Sequence, residues 1–203
     1  MMKLIGPWFS PFTRRVGITL NLLRIPYEHV PLHAFNQRSE VKEYNPLGKV
    51  PVLVLDSGER LIDSSAIADY LNEQVGPARA LIPAVGPDRR HVLQIVAAAL
   101  TTIEKASAVY YEKFKDGGGA PALDRTDAAG QTLAGLDLLE AQAGEGWMLG
   151  GRLTQADITA VVAYQTAAFT LEAEVSQGRF PKLAALADRA MRDPAFSATL
   201  PQS

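Results

Sequence analysis

The sequence predicts an α/β domain followed by an all-α one, on three observations. In the first third, short apolar runs and helical stripes alternate in the order βαβαββα. A stretch rich in chain breakers, from Gly76-Pro77 to Gly86-Pro87, then interrupts the pattern. Beyond it no strand signal recurs, and every periodic segment has helical spacing. The expected division is residues 1–78 for the first domain, 79–87 for a linker and 88–203 for a C-terminal helical bundle.

Residues 3–6 are a short strand ended by Gly6-Pro7. Ser10-Pro11 follows, a serine N-cap with proline at the first helical position. Phe12, Val16, Leu20 and Leu23 then share one helix face. Residues 27–32 alternate and form a second strand, and the polar residues 36–44 a short helix. Residues 51–55 and 60–62 are two strands joined by the turn Asp56-Ser57-Gly58-Glu59. Residues 65–75 are helical, with Ile67, Tyr70 and Leu71 on the apolar side. In the second domain Val92, Ile95, Val96, Ala99 and Ile103 mark a long helix that runs on to Phe114 and ends at Asp116-Gly117-Gly118-Gly119. Residues 128–143, 154–169 and 181–191 are three more.

The chain has 203 residues, 47% hydrophobic and 21% charged, which is enough apolar content for a real core. A net charge of -2, with no block of like charge, disfavours nucleic-acid binding through phosphate neutralisation. There is no cysteine, hence no disulfide, thiolate metal site or cysteine nucleophile. His29, His33 and His91 lack the spacing of metal ligands, and no Ser-His-Asp set is suggested. The first residues lack the apolar run of a signal peptide, and no segment reaches the ~20 apolar residues of a membrane span. The expectation is a cytoplasmic protein without metal.

Two stretches carry chemistry. Asn45-Pro46-Leu47-Gly48-Lys49-Val50-Pro51-Val52-Leu53 leads a turn into a strand whose first residue is proline. Such a proline has no N–H and suits a strand start; a cis Val50-Pro51 bond would turn the backbone of Val50 toward a ligand. Asp63-Ser64-Ser65-Ala66-Ile67 opens a helix on an acid and two serines, where N-capping and anion binding are both served. In the second domain, Thr154-Gln155-Ala156-Asp157 is a capping box flanked by Leu153 and Ile158 as a hydrophobic staple.

Together with Gly150-Gly151-Arg152-Leu153-Thr154-Gln155-Ala156-Asp157-Ile158, these stretches resemble the glutathione transferase family, over nearly the whole chain. The resemblance implies a thioredoxin-like N-terminal domain that binds glutathione. Ser10 and Thr13 then stand where thioredoxin-like proteins carry their two cysteines. Ser10 would stabilise the thiolate of glutathione, with Thr13 the alternative hydroxyl; the plain alternative is that Ser10 only caps the helix. Tyr27 is the first tyrosine and falls in the second strand, so an N-terminal catalytic tyrosine is absent, and Trp8 packs beside the first strand. Val50 and Pro51 would clamp the cysteinyl part, Lys49 would reach the glycine carboxylate, and Asp63 and Ser64 would hold the γ-glutamyl group. The family more often has Glu or Gln where Asp63 stands.

Tyr110, Tyr111 and Phe114 are candidates to line an electrophile pocket, with core packing as the alternative, while Trp147 is expected in the core. Arg14 and Arg15 are expected as solvated helix charges, either able to add positive potential near the thiolate. The implied activity is a glutathione transferase acting on a small apolar electrophile, as a homodimer. A glutathione-dependent isomerase or dehalogenase, and a non-catalytic regulatory protein of the same fold, are the alternatives.

Overall fold

A computed structural model of the chain describes residues 1–112, 125–176 and 178–201. Its first elements are β1 (Met2–Ile5), α1 (Pro11–Leu23), β2 (Tyr27–Val30), α2 (Arg38–Tyr44), β3 (Val52–Val54), β4 (Arg60–Ile62) and α3 (Ser64–Val75). There follow α4 (Gly86–Glu112), α5 (Arg125–Gln142), α6 (Gln155–Thr170), α7 (Glu172–Val175), α8 (Pro181–Ala190) and α9 (Pro194–Ser197). The expected βαβαββα order is present, with element ends shifted by one to three residues. Phe114 and the glycine run expected to end the long helix lie outside the described residues.

The four strands form one sheet in the order β2-β1-β3-β4. β1 and β2 are parallel, as a helical crossover requires, while β3 pairs antiparallel with β1 and with β4. Leu4 stands opposite His29 on one side and Leu53 on the other. Leu4 and Leu53 pack with Val16, Leu20 and Leu23 of α1 and with Ile67 and Leu71 of α3. Neighbouring Leu4 and Ile5 are both fully buried, so β1 is covered on both faces. The outer strand β4 is only three residues long and exposes Arg60, which blunts its open edge.

By its contacts the chain forms two units, Met1–Ala84 together with Met191–Ser203, and Val85–Ala190. The sequence pattern places residues 88–203 together. The last segment instead returns to the first unit, where Asn21 Nδ2 donates to the Ala195 carbonyl at 3.1 Å. The short helices α7 and α9 were not foreseen, since four residues are too few to show a period. Asp193-Pro194 was nonetheless a legible start signal for α9: Asp193 Oδ1 accepts the Ala195 N–H at 2.8 Å.

In the second unit α4 packs against α5 and α6. One expectation is corrected here: Gly86–Glu112 is, by length and composition alone, apolar enough to cross a membrane. Its apolar residues form a buried stripe, Val92, Ile95, Ala99, Ile103, Ala106 and Val109, as in the core helix of a bundle. α6 is buried on all sides along Gln155–Ala163, the pattern of a central helix. Trp147, expected in the core, is instead half-exposed, with the Arg189 guanidinium 5.8 Å from its ring centre.

The start of α6 is fixed by Asp157, which is fully buried. Its Oδ2 accepts the Thr154 N–H at 2.8 Å and the Thr154 hydroxyl at 2.9 Å, and its Oδ1 accepts the Met148 N–H at 2.7 Å. Burial pushes this carboxyl above its ordinary value and the hydrogen bonds oppose the rise. Removing it orphans two buried N–H groups, each costing about 1–3 kcal/mol. We expect Asp157→Ala to lower unfolding free energy by about 3 kcal/mol or more in urea denaturation. Because the native carboxyl holds its proton at higher pH than the unfolded one, its contribution to stability falls as pH rises from the ordinary carboxylate range toward the native value. An Asp157→Asn variant should lack that fall.

Candidate functional site

The site is built where β1 ends. Gly6 adopts φ +135°, a conformation closed to most side chains, and turns the chain out of the strand. Its N–H donates to the Val30 carbonyl at 2.9 Å, and its carbonyl lies 2.8 Å from His29 Nε2. A Cβ at Gly6 would sit 2.3 Å from Thr13 Oγ1 and 2.9 Å from Val50 Cβ. The missing side chain therefore lets the first turn of α1 and the residue before the cis Val50–Pro51 bond close on one point.

The loop from Gly6 to Ser10 is held from two sides through Trp8. Its ring stacks on His29 with centroids 3.7 Å apart and planes 16° from parallel. Its other edge lies against Gly17 of α1, where a Cβ would come within 2.4 Å of the indole. Ser10 is thus delivered to the N-terminus of α1 as its N-cap. Its Oγ accepts the Thr13 N–H at 3.3 Å. That bond uses an acceptor lone pair and leaves the hydroxyl hydrogen for another partner. Ser10 is half-exposed, whereas Thr13 is wholly buried and its Oγ1 has no hydrogen-bond partner among the described residues.

Val50 is delivered by a turn that Asn45 organises from a buried position. Asn45 Nδ2 donates to the Lys49 carbonyl at 2.9 Å, its Oδ1 accepts the Leu47 N–H at 3.1 Å, and its own carbonyl accepts the Gly48 N–H at 2.8 Å. Pro51 is buried at the mouth of β3, Val50 is half-exposed, and Lys49 is exposed.

At the start of α3, Asp63 has φ 64° and ψ 133°, a costly conformation for a residue with a side chain. Its Oδ1 caps the helix by accepting the Ser65 N–H at 2.7 Å. Asp63 is exposed, while Ser64 is 2% exposed. Ser64 Oγ accepts from Arg15 Nη1 at 2.9 Å, and Ser65 Oγ from the same nitrogen at 3.4 Å.

The sequence reading of Arg14 and Arg15 as solvated charges is corrected. They are 6% and 1% exposed. Burial lowers both guanidinium pKa values to about 10, with the Asp63 charge opposing the fall for Arg15, so both stay charged at neutral pH. Arg14 donates to Met191 Sδ at 3.8 Å. From Thr13 to Leu20 every side of α1 is covered, so any charge in that run must be buried.

In the second unit Tyr110 and Tyr111 meet edge-on at 5.4 Å, and Tyr110 lies 5.7 Å from Phe169. Tyr111 is 38% and Phe169 60% exposed. Phe169 went unnoticed in the sequence, where it was only the last residue of a helix. The third residue of the expected trio, Phe114, lies outside the described residues. Among the described residues no group of His, Asp or Glu is placed to hold a metal. An open groove of about 600 Å³, lined by Arg24, Tyr27 and Asp193 among others, contains none of the expected site residues.

Comparison with known proteins gives a consistent picture. Residues 4–79 match the model of the glutathione S-transferase N-terminal domain and residues 86–189 that of the C-terminal domain. The GST-like protein YibF of Escherichia coli is 43% identical over 82 residues, a match that covers 40% of this chain and 40% of YibF. A Vibrio cholerae protein named as a probable maleylacetoacetate isomerase is 31% identical over 220 residues, covering 100% of this chain and 98% of its own length. The crystal structure of a glutathione S-transferase from Methylobacillus flagellatus with glutathione bound superposes with a TM-score of 0.91 at 26% identity, over 100% of both chains.

Substituting Gly6 tests the construction of the site. Gly6→Ala places a methyl inside contact distance of Thr13 and Val50 at a φ that alanine resists. Backbone strain of this kind costs about 1–3 kcal/mol. We expect thermal unfolding of Gly6→Ala well below that of the parent chain, and a near-ultraviolet circular dichroism change from Trp8.

Proposed function

The chain belongs to the glutathione S-transferase family, and on that premise we propose that it is a glutathione transferase that activates the thiol with Ser10. The observation that carries this reading is the pairing of a half-exposed Ser10, with its hydroxyl hydrogen free, and a Thr13 that is wholly buried. Glutathione would lie along the first unit. The backbone of Val50 would meet its cysteinyl amide, Lys49 its glycine carboxylate, and Asp63 and Ser64 the ammonium and carboxylate of its γ-glutamyl end. Glutathione bound in the Methylobacillus flagellatus neighbour supports the ligand.

A free thiol has a pKa of about 8.5, and a fall of two units is worth about 2.7 kcal/mol. One charge-assisted hydrogen bond from Ser10, added to the N-terminal dipole of α1, is of that size. The thiolate then attacks an electrophilic carbon. A C–S bond forms and the leaving group departs with its electron pair. In the second unit, Tyr110, Tyr111 and Phe169 offer an apolar surface suited to a small apolar molecule. We propose that the enzyme acts as a cytoplasmic homodimer, in keeping with the commonness of two-fold pairs; light scattering should give the mass of two chains.

A second reading is favoured by the Vibrio cholerae relative, whose match runs the length of this chain. In a glutathione-dependent isomerase the thiolate adds to a double bond, lets it rotate and leaves again. No thiol is consumed, so a thiol-consumption assay over a panel of electrophiles separates the two.

Ser10→Ala should raise the pKa of bound glutathione thiol by about one to two units, the loss of one charge-assisted bond of about 1.5–3 kcal/mol. Thr13→Ala should leave it unmoved. The check is thiolate absorbance against pH in each variant. A titration that follows Thr13 and ignores Ser10 would assign the role to the other hydroxyl. Wild-type protein that is not retained on immobilised glutathione would favour a regulatory relative.

A further inference from the structure

We propose that Arg15 is a positioning residue that sets the Ser64 hydroxyl as a donor toward the γ-glutamyl carboxylate; the inference rests on the glutathione reading above. A hydroxyl has one hydrogen to give and two lone pairs to receive, and a guanidinium can only give. The 2.9 Å contact from Arg15 Nη1 therefore occupies a lone pair of Ser64 and frees its hydrogen for an acceptor. Donation into the oxygen also polarises its O–H bond, strengthening the next hydrogen bond by about 10–30%. The 3.4 Å contact to Ser65 Oγ orders a second hydroxyl from the same nitrogen.

The burial of this charge is otherwise hard to account for. Arg15 is 1% exposed, and its Nε has no partner among the described residues. A guanidinium so deep ordinarily faces a carboxylate in direct contact, because desolvating it alone is costly. Here the hydrogen-bonded neighbours are serine hydroxyls, and Asp63 acts on it only through its field. The N-terminus of the 12-residue helix α3 adds its partial positive charge at the same place. The arrangement suits an anion at the Ser64 hydroxyl, and the exposed Asp63 beside it suits a cation. An α-amino acid end, carboxylate over Ser64 and ammonium on Asp63, completes both.

The test uses the whole protein and two probes, S-methylglutathione and its analogue amidated at the γ-glutamyl α-carboxyl. Lys at position 15 keeps the charge but cannot reproduce the guanidinium's donation to the two serines. Arg15→Lys should weaken S-methylglutathione about tenfold by calorimetry, the scale of about 1.4 kcal/mol. It should leave the amidated analogue within twofold of its wild-type affinity and shift KM for glutathione more than kcat. A merely structural role would weaken both probes alike, and that result, or no change in either, overturns the proposal. Should Arg15→Lys fail to fold, Arg15→Gln, which removes the charge and the guanidinium fork, carries the same comparison, with a loss for S-methylglutathione alone expected and equal effects on both probes overturning it. Wild-type protein that binds neither probe would overturn the glutathione reading and this role with it.

Discussion

The structure of the first unit turns on a contact that a single methyl group would forbid. At Gly6 the end of β1, the first turn of α1 and the residue before Pro51 meet with no room for a Cβ. These residues are far apart in sequence, and each brings its own element. Gly6 is also tied to β2 through Val30 and His29, so the strand neighbouring β1 is fixed to the same point. The rest follows from this junction: Trp8 wedges between His29 and Gly17, Ser10 falls at the helix start, and Val50 comes up against Gly6.

A second layer of organisation is electrostatic. α1 buries two adjacent cations, and α3 begins with an exposed anion in a costly backbone conformation. Both are unfavourable taken alone. Buried guanidinium needs partners, which Ser64 and Ser65 supply, and the strained Asp63 recovers part of its cost, typically about 1 kcal/mol, by capping the helix. Strain and buried charge concentrate at one end of two packed helices, as they do where a fold is arranged for a ligand rather than for stability alone.

Much of this was legible in the sequence, for reasons that differ by residue. Ser10-Pro11, Asp63-Ser64 and Thr154 to Asp157 are local signals: capping depends on residues two or three apart, and the structure repeats them. The order of strands and helices was equally local. What escaped was set by tertiary packing. Nothing near Arg14 or Arg15 announces that α1 is covered on every side. That Thr13 is wholly buried while Ser10 is half-exposed depends on Gly6 and Val50 closing over the first turn of α1. The return of α9 to the first unit depends on a contact between Asn21 and Ala195, which no window of adjacent residues contains.

That return makes the helical unit, in topology, an insertion within the first one, since segments on both sides of Val85–Ala190 belong to the same body. On a ribosome the chain emerges from its N-terminus. The strands, α1 and α3 are all made before the segment that packs on the flank of α1. The sheet can therefore form early, but its unit stays incomplete until the helical unit has been synthesised in full. A translation arrest after the helical unit but before Met191 would leave the flank of α1 around Asn21 uncovered while every strand is already in place.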